Sequence, residues 1–412
     1  MGHEEAAYAV DVLHTCSEPW RMEILRGNEL PSVLAALGDF ERAYGQLSLN
    51  QKPDWLLCHH ENELEHLGVF ILYGCDTICG FAPFLLQRFP LTCYAGEFRL
   101  IQFNIQCVRF LGPPRFPEEN SAYDLLFAKF QEMTDVDGLF VEALPIESFL
   151  FKYVERSPIA AQFLRHGRSR NVEHFVIALP SSYEEYARKF SSKTRNTLSR
   201  RFKKLKAAGL GEPKLQRITE EKDIDEFVDR AVAVSKKTYQ WHLLGLGLRE
   251  AEKLKRELKF LARHGWARCY LLSCGNTPIA FTLCYQDHDT CYYIDVGFDR
   301  DWRDFSAGTV LQVMVLQDLF EFRTPRYFDF GGMAEHKKFF GNTSYMESNV
   351  LLLRRRPYPV FASLLTRTVS GVSDKAVSFL DQIGLKRRIK KWIRTTSVTR
   401  KSDDSREKEQ TD

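Results

Sequence analysis

Residues 309–322, TVLQVMVLQDLFEF, are apolar on nearly every side when wound as a helix. A helix without a polar face has no surface to give to water and must be buried. A polar turn carrying Ser306, Ala307 and Gly308 precedes it. A strand-like run, YFDF at 327–330, follows at once and ends in Gly331 and Gly332, with Lys337 and Lys338 just beyond. A buried helix that feeds directly into a short strand packs on the sheet containing that strand. The pattern predicts a mixed α+β chain.

The rest of the chain supplies the sheet. A helical pattern spans 22–49. Runs at 55–59, 67–73, 78–87, 100–103 and 108–111 read as strands, followed by a helix at 123–133 and a strand at 138–143. The order returns later, with strands at 268–274, 278–286 and 291–297, the buried helix, then strands at 327–330 and 349–355. Asp76-Thr77-Ile78-Cys79-Gly80-Phe81 echoes Asn276-Thr277-Pro278-Ile279-Ala280-Phe281, 200 positions later. The expected architecture is two lobes, 1–180 and 212–357, each a mostly antiparallel sheet flanked by helices. A basic helix at 181–211 joins them, a basic helical extension follows at 358–401, and 402–412 is a disordered tail.

Charge is concentrated rather than abundant. The net charge is only +3, yet Arg188, Lys189, Lys193, Arg195, Arg200, Arg201, Lys203, Lys204 and Lys206 follow one another with no acid between them. Such a run is either a solvated face or a surface for an anion. A second basic stretch, 385–401, has eight basic residues, no acid, and an apolar stripe of Leu385, Ile389, Trp392 and Ile393. It suits either docking on the protein or peripheral contact with an anionic membrane. Ten cysteines without metal-ligand spacing argue against a zinc site and read as reduced thiols. No leader and no run of membrane-spanning length is visible, so a cytoplasmic location is expected.

The Ser306–Gly308 turn has its own chemistry. The first N–H groups of a helix lack internal partners and, with the helix dipole, attract phosphate. The same turn could equally be an ordinary N-cap. Asp329 lies in an apolar strand, where desolvation would raise its pKa and suit it to be a general base, or where backbone donors would simply hold it. His336 and Tyr293 are further candidates for that role. Lys337 could stabilise an oxyanion. Tyr239 and Trp241, beside Gly245 and Gly247, could line a substrate lid.

Together SSKTRNTLSRRFKKLKAAG at 191–209, KTYQ at 237–240, TPIAFTLCYQ at 277–286, FSAGTVL at 305–311 and FDFGGMAEHKKFFG at 328–341 resemble the GNAT superfamily. The likeness is to its double-GNAT acyltransferases related to CelD of cellulose biosynthesis and to the FemAB peptidyltransferases. It covers about 170–355, and the first half more loosely. The resemblance implies transfer of an acyl group from acyl-CoA, with acetyl-CoA the expected donor and no metal. The acceptor would be an amine or hydroxyl on a small molecule or saccharide, in exopolysaccharide or cell-envelope synthesis. It implies that Ser306, Ala307, Gly308 and Thr309 hold the cofactor, that Lys337 is the family's lysine, and that Arg195, with Arg200 and Arg201, meets the phosphate-bearing substrate. Ala307 stands where relatives often have Pro, and His336 where Tyr is common. Transfer from aminoacyl-tRNA, with RNA on the basic helix, and a non-catalytic GNAT-like partner of a polysaccharide-synthesis assembly remain as alternatives.

Overall fold

The two echoing turns close hairpins at matching places in two similar units. The computed structural model describes residues 19–31, 33, 36–38, 40, 47–95, 98–167, 171–208, 211–238, 241, 247–331 and 335–382, without the side chains of 28, 95, 98, 335, 336, 370 and 372–382. The first unit contains β1 (Trp20–Arg26), β2 (Leu67–Gly74), β3 (Thr77–Ala95), β4 (Phe98–Phe110), α2 (Asn120–Glu132) and β5 (Gly138–Pro145). The second contains β8 (Pro213–Ile218), β9 (Cys269–Cys274), β10 (Thr277–Asp287), β11 (Thr290–Phe298), α8 (Ala307–Glu321) and β12 (Tyr327–Asp329). Gly74 pairs with Thr77, and Cys274 with Thr277. Both ladders then slip at the same step. Leu72 faces Gly80 after Tyr73 faces Ile78, and Leu272 faces Ala280 after Ser273 faces Pro278. A bulge repeated at one position is a feature of the unit itself.

Each unit has one parallel pair, β4 with β5 and β11 with β12. Each also lends a strand to the other. β7 (Val172–Ala178) follows the first unit but pairs with β12, while β13 (Thr343–Leu353) follows the second but pairs with β5. β7 and β13 pair antiparallel in the middle. Among the described residues the result is one sheet of 13 strands, ordered β1-β2-β3-β4-β5-β13-β7-β12-β11-β10-β9-β8, with β6 (Leu164–Arg165) beside β13. A division between 1–180 and 212–357 therefore describes the sequence repeat but does not cut the sheet.

Alternation along β9 assigns its two faces. Tyr270, Leu272 and Cys274 pack in the cluster holding Val310, Leu311, Val315, Leu316 and Leu319 of α8. Cys269 and Leu271 face α6 (Ile224–Ser235) and α7 (Ala251–Arg263), together with Trp55 of α1 (Pro53–His59). The helix predicted to lack a polar face is thus sandwiched as its sequence demands. Burial of each such Val or Leu contributes roughly 1.5–3 kcal/mol. In the first unit, α2 and α3 (Phe149–Arg156) cover one face through Phe127, Phe130 and Leu150.

Several local readings change. Residues 55–59 form α1 rather than a strand, because Pro53 starts a helix at its first turn. β1 is a strand at 20–26, where a helical pattern was read from 22, because pairing with β2 along its whole length overrides local propensity. The basic helix is two helices, α4 (Tyr183–Ala187) and α5 (Ser192–Lys206), each capped by its own serine, Ser182 and Ser191. Eight of the nine described cysteines are reduced thiols, as read from the sequence, and Cys79 is the exception, being disulfide-bonded. The stretch 385–401 and the tail 402–412 lie outside the described residues.

Candidate active site

The parallel pairing of β11 with β12 has three rungs and ends at Tyr292 opposite Asp329. β11 continues to Phe298 while β12 stops, so the sheet opens there. The chain leaves β11 through a 3-10 turn, Arg300–Phe305, capped by the buried Asp299 carboxylate, which also holds Lys237 Nζ at 2.9 Å. It enters α8 through Ser306, whose φ of 58° and ψ of 40° are left-handed. A non-glycine residue there carries strain of order 1–3 kcal/mol, the kind found where the main chain serves a ligand. Ser306 makes no side-chain cap, so the plain N-cap reading fails. The N–H groups of Thr309 and Val310 turn back to the Ser306 carbonyl. Those of Ala307 and Gly308, the first two of α8, have no acceptor within the helix and can face an anion. A side chain at Gly308 would press on Phe298, its Cβ 3.1 Å from Cδ1.

Helix α5 lies beside this turn. Arg201 Nη1 donates to Thr309 Oγ1 at 3.2 Å, and Lys204 Nζ to the Asp304 carbonyl at 2.9 Å. A cavity of about 230 Å³ opens between Lys193, Thr194, Thr197, Leu198 and Arg201 of α5 and Phe339. The other two predicted arginines are used locally. Arg195 donates to the Phe190 carbonyl at 2.6 Å and reaches Ser192, while Arg200 reaches Thr197 on its own helix.

Below the opening sits a polar cluster. Asp329 Oδ1 accepts from His174 Nε2 at 2.8 Å and from the Gly331 N–H at 2.6 Å. Glu347 Oε2 lies 3.0 Å from the other ring nitrogen of His174, whose ring stacks on Tyr345. Burial alone would lower the His174 pKa, but the hydrogen bond with Asp329 and the nearby charges of Asp329 and Glu347 raise it to about 9. The ring is therefore a cation held between two carboxylates. Lys337, on α9 (Glu335–Phe340), donates to the Phe330 carbonyl at 2.9 Å and to that of Gly331. Desolvation lowers its pKa against the pull of Asp329 and Glu347. Lys189 donates to the Phe340 and Gly341 carbonyls, and burial pulls it down to about 8.

The structure therefore gathers Ser306, Ala307, Gly308, Thr309 and Arg201 at one end of the opening. Lys337 and Asp329 belong to the cluster at the other. Tyr293 is buried against Phe328 and Phe330, and burial pushes its phenol up, which disfavours the ionised form a base would need. Trp241 lies near Thr238 with Arg249 over its ring at 4.8 Å, on the α6 side rather than the α8 side. Tyr239 and the side chain of His336 lie outside the described residues.

His174, Glu347 and Asp295 were missed. Asp295 stands on β11 three residues past the last rung shared with β12 and accepts the Val296 N–H at 2.7 Å; burial raises its pKa. A lone acid inside the apolar run CYYIDVGF was the available signal. His174 and Glu347 gave none, because the strand exchange that joins them is not local in sequence.

Residues 192–344 match the family described as acetyltransferase (GNAT) domain. They span α5, the opening and α9. The crystal structure of FemX superposes with a TM-score of 0.54 at 11% identity, over 82% of this chain and all of that one. At this identity the likeness shows the fold, which the chain shares with FemX. Weaker likenesses extend to the C-terminal domain of a putative lysylphosphatidylglycerol synthetase from Agrobacterium fabrum (TM-score 0.49, 14% identity, 82% of this chain and 97% of that). A tandem GNAT protein from the clavulanic acid biosynthesis pathway scores 0.44 at 11% identity over 82% and 99%. No curated protein matches the chain in sequence.

Proposed function

We propose that this double-GNAT chain is an acyltransferase that uses acyl-CoA, acetyl-CoA first among donors, and delivers the acyl group to an amine or hydroxyl. One observation carries the reading. The strained Ser306 turn, the N–H groups of Ala307 and Gly308, and Arg201 converge where β11 and β12 part. Two N–H donors at a helix start and a guanidinium suit a pyrophosphate. The opening between the strands would take the thioester arm. Asp295, whose raised pKa rests on burial with one backbone donor, is the preferred base. Asp329 has His174 and Gly331 on its oxygen and serves better to orient. The Lys337 ammonium would stabilise the oxyanion. An envelope or exopolysaccharide acceptor on the cytoplasmic side is the biological setting we favour.

Transfer from aminoacyl-tRNA is the second reading, favoured by the exposed Lys193, Arg200 and Lys203 on α5. Titration calorimetry separates the two. Acetyl-CoA should bind the wild type, and Arg201→Gln should weaken it roughly ten- to a hundredfold, the value of one charge-assisted bond. Undetectable acetyl-CoA binding, with aminoacyl-tRNA bound instead, would overturn the CoA reading.

A further inference from the structure

Ten large apolar side chains among the described residues are exposed, and six of them lie together in one part of the fold. Tyr94, Leu100 and Ile101 are at the end of the long β3–β4 hairpin. Tyr358, Phe361 and Leu364 are on the first half of α10 (Pro357–Gln382). The two elements are packed together. Phe103 meets Phe361 at a ring distance of 5.9 Å and Tyr358 at 6.3 Å, and Cys93 Sγ reaches Thr366 at 3.5 Å. Ala362 and Thr366 face the sheet, while Phe361 and Leu364 are 58% and 52% exposed. This helix has apolar residues on the side turned away from the protein as well as on the side turned toward it. Exposed apolar side chains gathered on a helix and on the hairpin end beside it mark a contact.

Charge selects the partner. The exposed or half-buried cations here are Arg88 and Arg99 on the hairpin and Arg367 on α10, while Arg355 and Arg356 are held by the Gln162 carbonyl and by Asp137. The chain then runs from α10 into the eight basic residues of 385–401. A second copy on this face would oppose arginine to arginine. The basic stretch folding back over it would do the same. We infer that the hairpin end and the outer face of α10 form a docking surface for an anionic lipid bilayer, with aromatic and aliphatic side chains entering the interface and arginines meeting phosphate. This surface lies in the first unit and on α10, away from the β11–β12 opening, and does not depend on the transfer chemistry.

Co-sedimentation of the full chain with vesicles tests it. Vesicles of mixed phosphatidylglycerol and phosphatidylcholine should bind the protein, and pure phosphatidylcholine should bind it far less. Phe361→Asp with Leu364→Asp should lower partitioning at least about tenfold, since each buried apolar side chain is worth about that much. Leu100→Ser with Ile101→Ser gives an independent second variant should the first fold poorly. Replacing Arg387, Arg388, Lys390 and Lys391 by Gln should weaken binding and reduce its salt dependence. Undiminished binding by both apolar variants would assign attachment to the basic stretch alone and overturn the surface. A concentration-dependent dimer, dispersed by the Phe361 variant and indifferent to vesicles, would overturn it in favour of a second copy.

Discussion

The two parallel strand pairs occupy equivalent places in the repeat and have opposite chemistry. In the second unit the last rung pairs Tyr292 with Asp329, and Asp329 meets His174 and, through it, Glu347. In the first unit the last rung pairs Arg109 with Phe140. Phe140 packs on Phe89, Leu351 and Leu353 in an apolar cluster that also holds Ala362 of α10. The turns that follow differ in the same direction. Ser306 leads into α8 with Arg201 beside it. The first unit's connection is occupied by its own chain, with Arg115 bridged to Phe81 by two backbone hydrogen bonds and Gln51 holding the Pro113 carbonyl at 2.6 Å. Glu118 and Glu119 then precede α2, where an anion would be repelled. One architecture thus yields a filled lobe and an open one. Side chains at the rung and the turn decide which is which, as expected when sites are grafted on folds.

The sharpest break of this comparison removes the polar cluster. Asp329→Asn leaves a buried imidazolium short of one of its carboxylates and should cost about 3–5 kcal/mol of stability. The cluster also predicts a pH dependence. The His174 pKa is raised above its ordinary value to about 9. Its contribution is therefore full below the unfolded value near 6.5 and is lost as pH rises through about 9. The shift corresponds to about 3 kcal/mol. Thermal melts of the wild type should fall between pH 7 and 10, and those of Asp329→Asn should fall much less. Parallel curves for the two proteins would take the cluster out of the stability argument.

Lys337→Ala acts on the chemistry instead. If its ammonium meets the oxyanion, turnover should drop about a hundredfold or more, the usual loss for one such donor. The melting temperature should change little, because the lysine donates to the rim carbonyls of Phe330 and Gly331. Full turnover by this variant, on a substrate the wild type acetylates, would move the oxyanion site elsewhere in the opening. Arg115→Gln, the counterpart test in the filled lobe, should leave acetyl-CoA affinity unchanged.

What was legible in the sequence was local. Asp76 and Gly275-Asn276 announce hairpins because two-residue turns have strong residue preferences, and the helix at 309–322 announces its own burial. The anion turn and Lys337 were visible as residues but not as partners. Arg195 looked like the ligand arginine of the basic helix, whereas Arg201 is the one that reaches Thr309, since only the helix start at Ser191 sets which residues face α8. The exchange of β7 and β13 was hidden. It joins residues 174, 329 and 347 through pairing that no window of the chain contains, and so hid the ion cluster with it.

The smallest expected effect concerns the shared bulge. Gly80 and Ala280 hold the same place, opposite Leu72 and Leu272. A Cβ on Gly80 would sit 2.4 Å from the Arg115 carbonyl oxygen and 3.1 Å from the Phe116 Cα. Both are main-chain atoms, and Arg115 is fixed by its bridge to Phe81. Gly80→Ala should therefore destabilise by about 1–3 kcal/mol through overpacking. Ala280 is fully buried in the α8 cluster, and Ala280→Gly loses a methyl and gains chain freedom for about 1 kcal/mol. Urea unfolding measures both. The informative quantity is how each loss responds to saturating acetyl-CoA. A ligand that binds only the folded open lobe should raise the stability of both variants by the same increment as wild type, because the bulge touches neither Ser306 nor Arg201. A smaller increment for Gly80→Ala would mean that the first unit's turn also holds ligand, and the division into a filled and an open lobe would fall.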